Sequence, residues 1–400
     1  MRIGLIAALR RTEDGTLRAA LPLAGRSVLV WQARMLASLG VERVLCLSED
    51  TTASAELLRL QHALEAKGMQ FHVLKGFAAI PALVRAEDDL IVLLDGLVPD
   101  QEVLRSVLDS GGAIKRLVVA MPADHALAVA CPADFERIDS ARHWAGVLAM
   151  RGAPVQHLAD FPEDADAGSL LLRLALQSGT AAFDLAQREL VPETWFLADS
   201  QAAVEQHANA LIAGAAPSAD WRAPSVALAL TVVRRIAPRG LARGGLMGGG
   251  LAVGLMLGAV MIAFFGFPAT GLGMAALGAF VAEISQTFAA LDTQLQRGEK
   301  AGHSAAVMSR ATDGFSALVL WFALVPWPDW LPLAVLGPVL IGLARLVSRT
   351  RHTAIGAAAS DRASLLLILA LASVFGVLPE AMACLALGLL AALLLRSAPD

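Results

Sequence analysis

Charge is what this sequence has least of. Asp, Glu, Lys and Arg make up 17% of its 400 residues and hydrophobic residues 56%, against about 25% and about 45–50% in an ordinary soluble domain. The mean hydropathy is +0.60. Neither an intrinsically disordered chain nor a purely soluble enzyme fits that balance. A basic excess is missing too. The formal net charge is -4 and the pI is near 6.1, which leaves no electrostatic footprint for nucleic acid and excludes it as a partner. Cysteine is scarce: Cys46, Cys131 and Cys384 are too scattered for a disulfide framework or a zinc cluster, and neither a CxxC nor an HExxH occurs. A reducing compartment fits. The opening residues MRIGLIAALRRTEDG hold an apolar run too short for a signal-peptide core, with no small-residue cleavage site after it. The first half is therefore expected to stay in the cytoplasm.

The charge that is present is unevenly spread. Up to about residue 240 acidic and basic residues recur every few positions, and beyond it apolar stretches of membrane-spanning length begin. The first half alternates β-rich runs with helical patterns: strands at 2–8, 44–47, 71–74 and 90–94, helices at 27–39 and 55–66. Continuous apolar strands separated by helices predict a doubly wound α/β domain with a parallel sheet, its ligand lying beyond the carboxyl ends of the strands. In the second half six apolar segments can be drawn, at 244–265, 270–291, 315–325, 331–346, 363–378 and 381–395. Some fall short of the roughly 20 residues that a span needs. Arg234, Arg235, Arg239 and Arg243 precede the first segment, Arg297, Lys300 and Arg310 follow the second, Arg345, Arg349, Arg351 and Arg362 separate the fourth from the fifth, and Arg396 follows the sixth. The opposite turns carry no Lys or Arg, so the positive-inside rule puts both termini in the cytoplasm. Trp327 and Trp330 suit an interfacial belt. The stretch 225–236, SVALALTVVRRI, either lies along the membrane with Arg234 and Arg235 at anionic head groups or is a linker helix packed on the soluble domain.

The chain opens with the strand IGLIAAL, the loop RRTEDGT, a turn from Leu21 through Pro22 and Gly25 to Ser27, and then VLVWQARMLASLGVERVLCL. That order of pieces resembles the nucleotidyltransferase family that makes nucleotide sugars and CDP-alcohols, in its sugar-phosphate cytidylyltransferase branch. The resemblance implies a loop whose backbone amides approach a triphosphate and a cation that neutralises the leaving pyrophosphate. On these positions Gly15 belongs to the phosphate loop and Arg18 is the cation. The loop departs from the family pattern. Leu9 stands where a glycine belongs, and Leu17-Arg18 replace a Pro-Lys pair, giving a planar fork in place of a compact ammonium. The family's metal-holding Gly-Asp appears reversed as Asp95-Gly96, so Asp95 is either a magnesium ligand or a turn residue. Trp144 to Leu148 resemble the strand lining the sugar or alcohol pocket, which makes Gly146 a pocket residue. Asp199 is read as a second metal ligand or a helix N-cap.

A membrane domain after such a cytidylyltransferase-like domain resembles the bifunctional CDP-alcohol phosphotransferases, whose signature DxxDGxxAR, eight residues, GxxxDxxxD holds two metal ions on four carboxylates. The equivalent stretch, 289–297, keeps only Asp292 and Arg297. Continued without gaps, the last two aspartates fall on Arg310 and Gly314, and one deletion brings Asp313 near the final position. Two divalent ions about 4 Å apart repel by roughly 4 kcal/mol per unit-charge product at an effective dielectric near 20, so two carboxylates do not replace four. A metal pair is therefore not expected, and Arg310 or Arg297 is free to hold an anionic head group. Glu283, within the second apolar segment, is either functional or faces a polar cavity. Gly248, Ala252 and Gly254 permit close helix contact, between subunits or within one.

These readings combine into three expected regions: a nucleotidyltransferase-like cytoplasmic domain over 1–205, a linker with a juxtamembrane helix over 206–243, and a six-span domain over 244–400. The expected function is that of a degenerate relative of the bifunctional enzymes, a partner or regulatory subunit in phospholipid head-group synthesis at a bacterial-type inner membrane. The alternatives are an active nucleotidyltransferase making a CDP-activated alcohol or sugar, and a lipid-binding or transport protein. Catalytic candidates are Asp292, Arg297 and Asp313, and metal candidates are Asp95 and Asp292. The implied ligands are magnesium and CTP or a CDP-alcohol. The implied partners are membrane lipids and a second copy or an active paralogue.

Overall fold

The computed structural model describes residues 1–49, 55–162, 165–215, 219–296, 301–324, 332–349 and 353–397. Arg297, Arg351, Trp327 and Trp330 lie outside the described residues. The chain divides into two compact units, Met1–Ala210 and Leu211–Asp400.

The first unit is built on a seven-stranded sheet of β1 (Arg2–Ala8), β2 (Arg43–Ser48), β3 (Gln70–Leu74), β4 (Asp89–Leu93), β5 (Leu117–Pro122), β6 (Arg142–Arg151) and β7 (Ala181–Asp184). Their order is β7-β5-β6-β4-β1-β2-β3. β1 runs parallel to β2 and β4, β2 to β3, and β5 to β7, whereas β6 is antiparallel to both its neighbours. The four strands expected from the sequence run parallel, and β6 makes the sheet as a whole a mixed one. A parallel connection needs a crossover, usually a full helix, and the segment from β5 to β6 holds only the five-residue helix Ala126–Ala130. The central strands form for the reason the sequence predicts. Ile3, Ile6, Leu90 and Ile91 are fully buried, and α1 (Val28–Ser38) packs on β1 with a stripe that buries Leu29, Ala33 and Leu36. From β1 the chain moves outward to β2 and β3, then returns to β4 on the other side of β1. The carboxyl ends of β1 and β4 therefore flank a switch point, the usual place for a ligand in such sheets.

β6 is irregular where it faces that point. Its register to β5 shifts between Val118, opposite Leu148, and Ala120, opposite Trp144. The extra residues include Gly146, at φ +85°, where a Cβ would meet Leu94 and Leu97 side chains at 2.9 Å. The Leu94 N–H donates to the Gly146 carbonyl at 2.8 Å, so the bulge supports the turn that follows β4. The buried Trp144 and Trp195 indoles donate to the Val147 and Ala145 carbonyls, each at 2.9 Å.

The second unit is helical: α6 (Pro224–Phe264), α7 (Pro268–Gln296), α8 (Ala301–Leu324), α9 (Leu336–Ser348), α10 (Ala354–Ser360), α11 (Arg362–Val374) and α12 (Leu378–Ser397). The remaining long helices of the chain, all in the first unit or at its end, are α2 (Ala55–Glu65), α3 (Gln101–Leu108), α4 (Ala167–Gln177) and α5 (Gln201–Ala215). Among the described residues three helices are long and apolar enough to cross a membrane, Gly244–Phe264, Pro268–Leu295 and Leu378–Leu395, and α10 with α11, bent by 76°, makes a fourth if counted as one span. Two of the other expected segments do not pass by length and composition among the described residues: α8 carries Arg310 and Asp313 within its length, and α9 has 13 residues. Core residues such as Met256, Leu272, Leu320, Leu340, Leu366 and Met382 pack together, while Leu246, Phe375 and Leu395 point outward and stay exposed. An apolar exterior of that kind suits a lipid solvent.

The juxtamembrane stretch and the first apolar segment form one continuous helix of 41 residues. Ser225 lines a cavity with Glu283, and Gly248 lies against Ser285, where its Cβ would sit 3.2 Å from the serine Cβ. Gly248 thus serves packing within one chain. Near the start of α6, the Ser225 N–H donates to Asp361 at 2.9 Å, and the same carboxylate caps α11 through the Ser364 N–H at 2.9 Å. Asp361 is 1% exposed, and two helix N-termini offset its desolvation.

Replacing Gly146 with Ala should destabilise the first unit by about 1–3 kcal/mol, the usual cost of a side chain held at positive φ. Thermal unfolding of the purified chain reads this as a lowered midpoint, and an unchanged midpoint would mean that Leu94 and Leu97 yield freely.

Candidate functional site

Polar side chains gather around a cavity in each unit. In the first unit the cavity sits at the switch point, about 60 Å³ in volume, bordered by Leu9, Arg10, Asp95, Asp134, Glu136 and Asp166. Asp95 follows β4, and Gly96 at φ +82° turns the chain back immediately after it. A side chain at Gly96 would also press on Arg18, whose Cδ lies 3.2 Å from an added Cβ. Asp95 is 4% exposed. Its Oδ2 accepts the Leu9 and Arg10 backbone N–H groups, both at 2.7 Å, and its Oδ1 is buried with no protein partner. Burial pushes its pKa up from 3.8 to about 6, against the pull of those two N–H groups and of Arg18 and Arg10. Cys46, nearby, is pushed up to about 12 by burial and by the Asp95 charge, which makes it a packed thiol and no nucleophile.

The loop's cations are also engaged. Arg18 donates to Asp134 at 2.8 Å, and Arg10 donates to the same Oδ1 and to the Ala133 carbonyl. Glu136 accepts from the Ser169 hydroxyl, and its pKa is raised by burial and then by Asp166. Four carboxylates thus stand against the guanidiniums of Arg10 and Arg18. A volume of about 60 Å³ holds a few water molecules, well below the roughly 300–1,000 Å³ of small-molecule sites.

Of the residues expected to hold a nucleotide, Asp95 lines this cavity and Arg18 joins it through Asp134. Gly15, at φ +80°, lies in the exposed tip of the loop, where its N–H donates to the Thr12 carbonyl at 2.9 Å. Gly146 lies in the β6 bulge behind the turn and is not among the lining residues. Beside Asp199, the cap of α5 is Ser200, whose Oγ accepts the Ala203 N–H at 3.3 Å. Sequence reasoning missed Asp134. Its only signal was that a loop with three arginines requires a counter-charge somewhere. Among the described residues no three His, Cys, Asp or Glu side chains converge as a metal site.

The second cavity, about 320 Å³, lies among the helices of the second unit and is lined by Glu283 and Gln286 of α7, Asp313 of α8, Arg345 of α9, Arg349 at its C-cap, and Arg362. Asp313 is 9% exposed. One of its oxygens accepts from Arg345 and the other from Arg362 Nε at 2.7 Å. Asp292 does not line the cavity, and Arg310 is exposed outside it. Glu283 does line it. The three cavity arginines had been read from sequence only as markers of membrane side. Arg345 and Arg349 are spaced i, i+4, which puts them on one face of a helix, and that spacing was the available signal.

No family profile matches the chain, and no curated protein matches it. Among solved structures, the inositol-1-phosphate CTP transferase from T. maritima is similar with a TM-score of 0.34 and 17% identity, covering 51% of this chain and 91% of that one.

The Asp95 carboxyl holds its proton more tightly folded than unfolded, so its contribution to stability is full below pH 3.8 and is lost as pH rises through about 6. The loss amounts to about 3 kcal/mol at most. Comparing melting midpoints of wild type and Asp95→Asn from pH 4 to pH 7 should show the variant lacking that decline. Parallel pH curves would refute the assignment.

Proposed function

We propose that this chain is a membrane-bound, catalytically silent relative of the bifunctional cytidylyltransferase and CDP-alcohol phosphotransferase enzymes, acting in phospholipid head-group synthesis as a partner or regulatory subunit. The observation that carries the reading is that the groups such chemistry needs free are occupied by the protein itself. At the switch point the Leu9 and Arg10 amides, placed to receive a phosphate, donate to Asp95, and Arg10 and Arg18 donate to Asp134. In the second unit both oxygens of Asp313 face guanidiniums, and Asp292 lies outside the cavity. A carboxylate saturated by two arginines does not fit a metal pair, which needs oxygen donors free of competing cations. The proposal places both termini on the cytoplasmic side of a bacterial-type inner membrane, with lipids and a second copy or an active paralogue as partners.

The second reading, an active nucleotidyltransferase, is favoured by one observation. Asp95 Oδ1 lies buried at the cavity without a protein partner, and a carboxylate oxygen there fits a single magnesium ion, which would help neutralise nucleotide phosphates beside Arg18.

Magnesium-dependent pyrophosphate release from CTP by the purified full-length chain separates the two. The expected result is no release above the protein-free rate. Release by the wild type that disappears in Asp95→Asn would establish the active enzyme instead. In cells, deleting the chain should change the head-group profile of the lipids while Asp292→Asn leaves it as in wild type. CMP release that depends on Asp292 would overturn the silent-domain reading.

A further inference from the structure

We propose that Gln32 is a positioning residue for the switch point: its buried carboxamide fixes the turn 94–97, and through that turn it holds the Asp95 carboxylate against the Leu9 and Arg10 amides. The proposal rests on the reading of those two amides as groups that an incoming ligand needs free.

The buried stripe of α1 includes Leu29, Gln32, Ala33 and Leu36, spaced i, i+3, i+4 and i+7. Three of the four are the apolar residues that such a stripe calls for. Gln32 is not, and it is 0% exposed. A carboxamide is costly to bury unless its donors and its acceptor are met, and here only the donors are. Nε2 donates to the Leu94 carbonyl at 2.7 Å and to the Leu97 carbonyl at 2.9 Å, while Oε1 is buried with no protein partner. A leucine or methionine at this position would complete the stripe and leave no acceptor unmet. The two donations are therefore what a glutamine supplies that an apolar residue does not.

The two carbonyls bracket Asp95 and Gly96. The Leu97 N–H closes the turn on the Leu94 carbonyl at 3.0 Å, the Leu94 N–H ties it to Gly146 of β6, and the Ala198 N–H donates to the Gly96 carbonyl at 2.9 Å. Gln32 adds a single group that grips both ends of the turn at once. With the ends fixed, Asp95 Oδ2 stands 2.7 Å from the Leu9 and the Arg10 nitrogens. A shift of the turn by about 1 Å would stretch both bonds beyond hydrogen-bonding distance. Gln32 donates to no group of the loop itself, so its influence on the two amides passes through Asp95.

Amide hydrogen exchange on the full-length chain in detergent, resolved to the residues 9–12 and 3–6, tests the assignment. In Gln32→Met the amides of Leu9 and Arg10 should exchange about tenfold faster or more. Those of β1 should keep their rates, and the melting midpoint should stay level or rise because an unmet acceptor has been removed. Asp95→Ala should give the same fast exchange, and adding Gln32→Met to it should change nothing further, since both act through one carboxylate. A merely structural glutamine gives another pattern, a lower midpoint with uniform acceleration over both stretches. That pattern, unchanged exchange at Leu9 and Arg10, or additive effects in the double variant would each overturn the proposal. Gln32→Leu carries the same expectations if the methionine variant does not fold. The wild type supplies a further check: Leu9 and Arg10 should exchange in step with Leu97, and independent rates would refute the coupling. Pyrophosphate release from CTP, which would refute the silent-enzyme reading, leaves these exchange rates as they are, so the two failures are told apart.

Discussion

A carboxylate removed from water must be met by donors or cations, and most of this structure answers that requirement. Taking such an ion into a protein interior costs several kcal/mol unless nearby groups replace its hydration. Asp95, Asp134, Asp313 and Asp361 are all buried, and each is met in a different way. Asp95 takes two backbone N–H groups of a loop, and Asp134 takes two arginines of that loop. Asp313 takes arginines from two other helices, and Asp361 takes the first turns of two helices. The tertiary contacts that define both cavities run through these four side chains. Removing one partner of such a set leaves an uncompensated charge, which is more damaging than never having had the pair.

The two cavities use this constraint to opposite effect. In the sheet unit the carboxylates fill the place where a ligand's negative charge would go, and the space shrinks to about 60 Å³. In the helical unit Asp313 and Glu283 stand against three arginines around a space of about 320 Å³. The balance of charge differs between them: four carboxylates border the first cavity beside Arg10, and three arginines outnumber two carboxylates in the second.

What the sequence made legible follows the same logic. β1, β2 and β4 could be read because strands buried on both faces carry continuous apolar runs. β7 has no such run, since Ala181 and Asp184 are exposed at a sheet edge, and the reversed direction of β6 is written in its connection and not in its composition. The span count could not be read from apolarity alone: Asp313 breaks the apolar run within the continuous α8, and Asp361 marks a 76° bend between α10 and α11. Asp95 and Arg18 were visible through their order along the chain, whereas Asp134 and Arg362 acquire meaning only from what the fold brings beside them.

The contact between Asp95 and the Leu9 and Arg10 amides also sets an energy scale for access to the switch point. Any ligand that requires those amides binds only the fraction of molecules in which the carboxylate has withdrawn. Two hydrogen bonds to a charged acceptor, at about 1.5 kcal/mol each, hold that fraction to roughly one molecule in a hundred. The apparent affinity of such a ligand is then weaker than its intrinsic affinity by the same factor. Withdrawal of Asp95 from the loop would raise that affinity about a hundredfold without touching the ligand.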